Sequence, residues 1–474
     1  MTNPEPHIPG CGEEILAHGE HSPVIIENTL AGRQAKWIAE LTYEQIPEDV
    51  RDRARLLLLD FLGVARRGTT LPQVEPARAL LADLATAPQA SLVGGGKAAA
   101  AYAAYANGTF GHSCEYDDAH WSCGHPGVCV IPAVLALAER EGSDGKAILT
   151  AIVAGYQAMV WSMGPINRRT LDIGWHGMKV GGVFGAAAGA AKILELDLLQ
   201  TANALAVAGS DASGTMEYDQ SGGEVKRFHA GMATRAGLEA AVLAKAGLTG
   251  PLTIFEGLRG IHRLFAESTP GDVEAFWDGT WHIMNTFVKL YPMVGTTHAA
   301  LDALGMVLDR RPAKADDIAQ IEVGIVDWAV PHGAAIFHPH DMLSAQFSLA
   351  FACALRIIRG QVAIVDLASP EIRSDPAINA LADKVKPVAS QVPEGADPLF
   401  GRVIVRFNDG SEETALQPAP RGHPKNPPTI ADIKSKFREV VTDLLDESAA
   451  DRVVAATERL EEQRSAGDLI AMMG

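Results

Sequence analysis

Residues 110–128, FGHSCEYDDAHWSCGHPGV, gather Glu115, Asp117 and Asp118, the histidines His112, His120 and His125, and the thiols Cys114 and Cys123. Such a set can hold a metal, move protons, or close a polar loop between helices. A protein metal site usually shows compact ligand spacing such as CxxC, HxxxH or HExxH. This stretch has none, so no metal is expected. As a plain interhelical loop, Asp117, Asp118 and His120 would cap helix ends and meet water. The proton-transfer reading rests on position: the loop joins two apolar, helix-like segments, and a histidine at a helix N-terminus is readily held in catalytic geometry.

Three other polar stretches are candidates. In SGGEVKRFHAGMATRAG (221–237), Gly222-Gly223 frees the backbone before a helix on which Lys226 and His229 share a face, with Arg227 beside them. That is an anion site, or a solvated basic patch. In GWHGMKVGGVFGAAAGA, His176 and Lys179 lead into a segment too apolar for the surface, which suggests a cleft, although a satisfied core histidine would look the same. In KLYPMVGTTHAAL, Lys289 and His298 straddle a change from helical to mixed architecture, the kind of place where ligands bind. The segment GGGKA (94–98) lacks the pattern of a phosphate loop and reads as the start of an alanine helix; GSDASG (209–214) is no nucleophile elbow.

The elements that must position these residues are mostly helices. A chain of 474 residues implies two or three domains. Its first 270 or so residues alternate alanine-rich segments of helical length with short Gly, Pro or Asp punctuation, after a helix opened by Pro47 at its first position. Period-two alternation in IEVGIVDWAV (321–330) and GRVIVRFNDGSEETA (401–415), the latter with an Asp409-Gly410 turn, predicts strands around a helix-like LSAQFSLAFACALRII. PAPRGHPKNPP (418–428) reads as a linker, and Thr429 with Asp432 forms a capping-box pattern that restarts helix. The expected fold is mainly α: a large all-helical domain built from both chain ends (1–294 and 421–474) and a smaller α+β lid (295–420).

Charge narrows the function. With 40 basic and 58 acidic residues the formal charge is −18, which argues against nucleic acid and anionic membranes. An anionic substrate would need a local cluster of cations. Five cysteines, odd in number, suggest a reducing cytoplasm; the acidic N-terminus shows no signal-peptide pattern, and no run is long enough to span a bilayer.

Taken in order, IPEDVRDRARLLLLDFLG, NGTFGHSCEYDDAH followed by HPGVCVIPAVLALAE, GWH with GGVFGAAAGAAKILELD, KRFHAGMATRAGLEAAVLAKAGLTGP and KLYPMVGTTH resemble the MmgE/PrpD family, which includes 2-methylcitrate dehydratases, cis-aconitate decarboxylases and an iminodisuccinate epimerase. The resemblance spans roughly residues 30–445. It implies a helical domain with an α+β lid, a homodimer, a small polycarboxylate substrate, and catalysis without metal or organic cofactor. It places His125, His176, Lys226, His298 and Glu115 at functional positions. Ala119 departs from the threonine of the animal decarboxylases, and Gly177-Met178 from a common Pro-Thr. The shared chemistry is proton movement at a carbon next to a carboxylate. His125 and His176 would be acid and base, Glu115 or Asp117 would orient a histidine, and Lys226, Arg227, His229, His298 and Lys289 would hold carboxylates. Decarboxylation, dehydration, epimerisation and non-catalytic carboxylate binding share this scaffold; a lyase is the favoured reading.

Overall fold

The computed structural model describes residues 26–267, 273–463 and 465–474; the acidic leader and Cys11 lie outside them. Helix accounts for 59% and strand for 8%, so the chain is mainly α. The principal helices of the first part are α1 (Leu30–Glu40), α2 (Glu48–Gly68), α3 (Ala100–His112), α4 (Gly127–Glu141), α5 (Gly145–Met163), α6 (Gly177–Ile193), α7 (Leu198–Ala208) and α8 (Val225–Lys245). Pro47 stands one position earlier than expected, at the N-cap of α2, and Glu48 and Asp49 supply negative charge at the positive end of the helix dipole.

Small residues let these helices approach backbone to backbone. A Cβ at Gly237 of α8 would stand 2.4 Å from the Val183 carbonyl oxygen of α6, and one at Gly155 of α5 would stand 2.8 Å from Gly185 O. Helix α6 is therefore buried along nearly its whole length, as its lack of a polar face requires. The GGGKA segment is corrected by the structure: Gly94, Gly95 and Gly96, all at positive φ, turn a short hairpin pairing Ala90–Ser91 with Lys97–Ala98, and helix begins only at Ala100.

The second part contains α9 (His298–Arg310), β1 (Ile318–Ile325), α10 (Leu349–Arg359), β2 (Val385–Ala389), β3 (Gly401–Phe407) and β4 (Glu412–Gln417). The sheet order is β2-β1-β3-β4, with β1 parallel to β2 and antiparallel to β3. Ile321 pairs with Val405 and Val323 with Val403, and this buried face packs on Leu301, Leu304, Phe351 and Leu355 of α9 and α10. Asp409-Gly410 makes the β3–β4 turn, with Gly410 at φ 85°. The run 343–358, read as one helix, is broken at Phe347, because the Ser348 hydroxyl caps a new helix by accepting from Phe351 N at 3.2 Å.

The segment 418–428 is a packed strap rather than a linker. Gly422 O accepts from Val288 N at 3.0 Å, a Cβ at Gly422 would lie 1.9 Å from Val288 O, and Arg421 binds Asp302 through Nε at 3.0 Å. It leads into α11 (Ile430–Val441) and α12 (Glu447–Glu458). The capping box of α11 forms as expected, with Thr429 N donating to Asp432 at 2.8 Å and Asp432 N to the Thr429 hydroxyl at 3.1 Å. Phe437 and Val441 of α11 and Val453 of α12 join the core of the first part, Phe437 lying against Gly63 of α2. Among the described residues no helix is long and apolar enough to cross a membrane.

Candidate active site

Helix α3 ends at His112 and the chain turns sharply through Glu115, whose φ of 51° is unusual for a residue with a side chain. What fixes it is the carboxylate. Lys226 Nζ of α8 donates to Glu115 Oε2 at 2.6 Å, while Lys289 Nζ donates to Oε1 at 2.8 Å and to the Glu115 carbonyl at 3.1 Å. Burial alone would raise the Glu115 pKa, but the two ammonium groups, with His125 and His112 behind them, hold it well below the usual carboxylate range.

The loop that follows is tied at both ends. Ala119 and Phe287 exchange backbone hydrogen bonds of 2.8 and 2.7 Å, which joins the loop to the segment carrying Lys289. His120 N donates to Gly124 O at 2.6 Å, closing a tight turn with Trp121 at its tip. Asp118 then anchors the start of α4: its Oδ1 accepts from Gly127 N at 2.9 Å and its Oδ2 from the Tyr156 hydroxyl at 2.6 Å. Burial pushes the Asp118 carboxyl up to about 7.

Asp117 is shared by two imidazoles. His125 Nδ1 lies 3.0 Å from its Oδ2 and His112 Nδ1 lies 3.1 Å from the same oxygen. Burial would raise Asp117, yet the two histidines hold it well below the ordinary range. With His125 Nδ1 also 2.9 Å from Asp118 O, its Nε2 is the nitrogen left for chemistry. His112, Asp117 and His125 offer ligand atoms within 4.8 Å of one another, a composition a divalent cation accepts.

His176, at the N-cap of α6, meets His229 of α8 with Nδ1 atoms 2.9 Å apart. One ring must donate and the other accept, so at least one nitrogen of the pair is unprotonated. Burial and the neighbouring His229 drive His176 well below 6.5, and burial and Lys179 lower His229 to about 4. The pair is neutral at pH 7.

Glu115, His125, His176, Lys226 and Lys289 line one cavity of about 480 Å³. Asp117 and His229 stand behind this wall, each in contact with a lining histidine. Arg227 points elsewhere: it is buried and donates to Ser113 O, Glu224 and Gln346. His298 is also fully buried, its Nε2 3.2 Å from Met293 O and its ring packed against Phe287 and Tyr291; burial lowers it to about 3. These two side chains are structural neighbours of the lining.

Sequence reasoning did not assign roles to His112, Tyr156 or Gln346. Gln346 donates to Cys114 O at 2.7 Å and steadies the turn before Glu115; the Ser348 cap that aims it there was hidden in what reads as a continuous helix. Tyr218, His332 and His423 also line the cavity.

The MmgE/PrpD N-terminal domain matches residues 32–273 and the MmgE/PrpD C-terminal domain matches residues 291–462. The chain belongs to the MmgE/PrpD family. It is 28% identical to the cis-aconitate decarboxylase-like protein oryM of Aspergillus oryzae over 94% of this chain and 98% of that protein. It is 29% identical to cis-aconitate decarboxylase of Aspergillus terreus, covering 87% and 89% of the two chains, and 26% identical to cis-aconitate decarboxylase of Mus musculus, covering 90% of each. Within this MmgE/PrpD chain, the departures noted in the sequence fall on the cavity. Ala119 and Met178 line it, and Gly177 packs against Asn167, whose Oδ1 would lie 2.2 Å from a Cβ there and would have to move for a larger residue.

Proposed function

We propose that the chain is a lyase acting on a small polycarboxylate by proton transfer at a carbon next to a carboxylate, with decarboxylation of a cis-aconitate-like acid as the first reading and dehydration of a citrate-like acid as the second. The observation that carries the proposal is the Lys226–Glu115–Lys289 cluster beside His125 on one cavity wall. Two lysines facing one carboxylate leave an excess positive charge inside an acidic protein, which favours an incoming carboxylate. The names of the relatives support the same class of substrate.

His125, its ring oriented through Nδ1 by Asp117, is the general acid: it delivers a proton from Nε2 to the carbanion-like carbon left when CO2 departs, while the lysines stabilise the developing negative charge. In a dehydration it would protonate the leaving hydroxyl, and neutral His176 would take the proton from carbon. The smaller α+β part closes over the site as a lid, the protein works as a cytoplasmic homodimer, and no metal or organic cofactor takes part. Epimerisation of an iminodisuccinate-type acid has no support among the named relatives.

The test is incubation of the EDTA-treated protein in D2O with cis-aconitate, citrate and 2-methylcitrate, followed by proton NMR. Deuterium beside a carboxylate in the decarboxylated product, or loss of water to an alkene from the citrate-type acids, each abolished in His125→Ala, is expected. A reaction that needs added metal, or silence in every arm, would overturn the proposal.

A further inference from the structure

The cavity lining combines two chemically different sets of side chains. One is the charged cluster and the histidines. The other is an apolar wall whose members are tied to one another. Asn167 donates from Nδ2 to Trp121 O at 2.9 Å, Leu171 lies one helical turn further on, and Gly164 sits against Phe276, whose ring would be only 2.3 Å from a Cβ at that position. Met178 presses on Gly124 in the same loop. All of these line the cavity.

Trp121 is 66% exposed at the tip of its loop, and its ring centroid is 6.2 Å from that of Trp328, itself 37% exposed. Two indoles left wet at the edge of a cavity mark a recognition surface rather than ordinary surface scatter. The volume, about 480 Å³, falls in the range that takes drug-sized ligands (~300–1,000 Å³). An unsubstituted di- or tricarboxylate carries polar groups on most of its carbons and has little apolar surface to offer such a wall.

We infer that the substrate is a polycarboxylate bearing an alkyl chain, its carboxylates held by Lys226 and Lys289 and its chain laid along Trp121, Leu171, Met178 and Phe276. This rests on the carboxylate reading above and extends it.

Calorimetric titration of the full chain with succinate, butylsuccinate and octylsuccinate separates the two claims. Each methylene buried on the wall tightens binding about fourfold, so butylsuccinate binds roughly 200-fold more tightly than succinate. The ratio between the long-chain compound and succinate collapses toward one in Trp121→Ser and in Phe276→Asn, whereas Lys226→Met weakens all three ligands together. A flat series in which succinate still binds through Lys226 overturns the alkyl chain, assigns the wall to another occupant such as a second copy of the protein, and leaves the proposed function standing. A steep series indifferent to Lys226→Met overturns the inference in favour of simple amphiphile binding. No binding of any diacid overturns the inference and the carboxylate reading together.

Discussion

Two buried carboxylates, one at the cavity and one behind it, each sit 2.6 Å from a lysine, and they behave in opposite ways. Asp60 of α2 faces Lys436 of α11, whose ammonium also donates to Tyr116 O at 2.7 Å and lies 4.1 Å from the Tyr116 ring centroid. Burial there outweighs one cation, and the Asp60 pKa is raised. Glu115 is just as deeply buried but meets two lysines, and is held well below the ordinary range. The one-to-one pair is a seam between the two ends of the chain. The two-to-one cluster carries surplus charge onto a cavity wall, which a seam does not need and a polycarboxylate site does.

Substitution at the cluster should give the largest effects. Lys226→Met and Lys289→Met, and His125→Ala beside them, are expected to lower kcat/KM by about 10²-fold or more with the circular dichroism spectrum retained, in line with the ~10²–10⁴-fold supplied by a positioned acid or base. Lys436→Met should leave kcat/KM of the folded protein within a few-fold of the parent. Equal losses at Lys226 and Lys436 would erase the distinction between site and seam.

The seam should answer in stability. Asp60→Ala strands Lys436, 3% exposed, without a counter-ion, and removing one partner of a buried pair costs roughly 3–5 kcal/mol. Lys436→Met is expected to cost less, because the remaining Asp60, already raised by burial, can take up a proton. Urea denaturation at pH 7 orders the two variants; the reverse order would mean that Asp60 stays charged on its own.

How much of this was legible in the sequence follows the range of the interactions. Local signals were readable: Thr429 with Asp432 for a helix start, Asp409-Gly410 for a hairpin, and alternation that put Val403 and Val405 on one buried face. The candidate stretches around His125, His176, Lys226 and Lys289 were readable as chemistry, and the chain does bring them to one cavity. Which neighbours line it was not. Arg227 and Lys226 are adjacent on one helix, and only the positions of Ser113 O and Gln346, more than 100 residues away, turn one inward to a carbonyl and leave the other at the cavity. The strap at 418–428 has the composition of a linker, and its packing depends on Val288 and Asp302, which no local pattern reveals.

A third carboxylate completes the series and predicts the smallest effect. Asp118 has neutral donors only, Gly127 N and the Tyr156 hydroxyl, and burial lifts it to about 7. Its folded value lies above the unfolded value of about 3.9, so the native state binds the extra proton between them. Its contribution to stability is complete below about pH 4 and is lost as pH rises through about 7. His298 and His120, both lowered to about 3 by burial, act with the opposite sign. Their contribution is complete above the unfolded value of about 6.5 and is lost as pH falls toward 3. The two slopes partly cancel in the parent between about pH 4 and 6.5. Asp118→Asn keeps the Gly127 bond and lets Tyr156 turn from donor to acceptor, removing only the titration. Denaturation at pH 5, 6, 7 and 8 should then show stability rising with pH more steeply than in the parent between pH 5 and 7, by up to about 1.4 kcal/mol per unit. An unchanged slope would mean that Asp118 is ionised in the native protein throughout, and that a buried carboxylate in this fold needs no cation to stay charged.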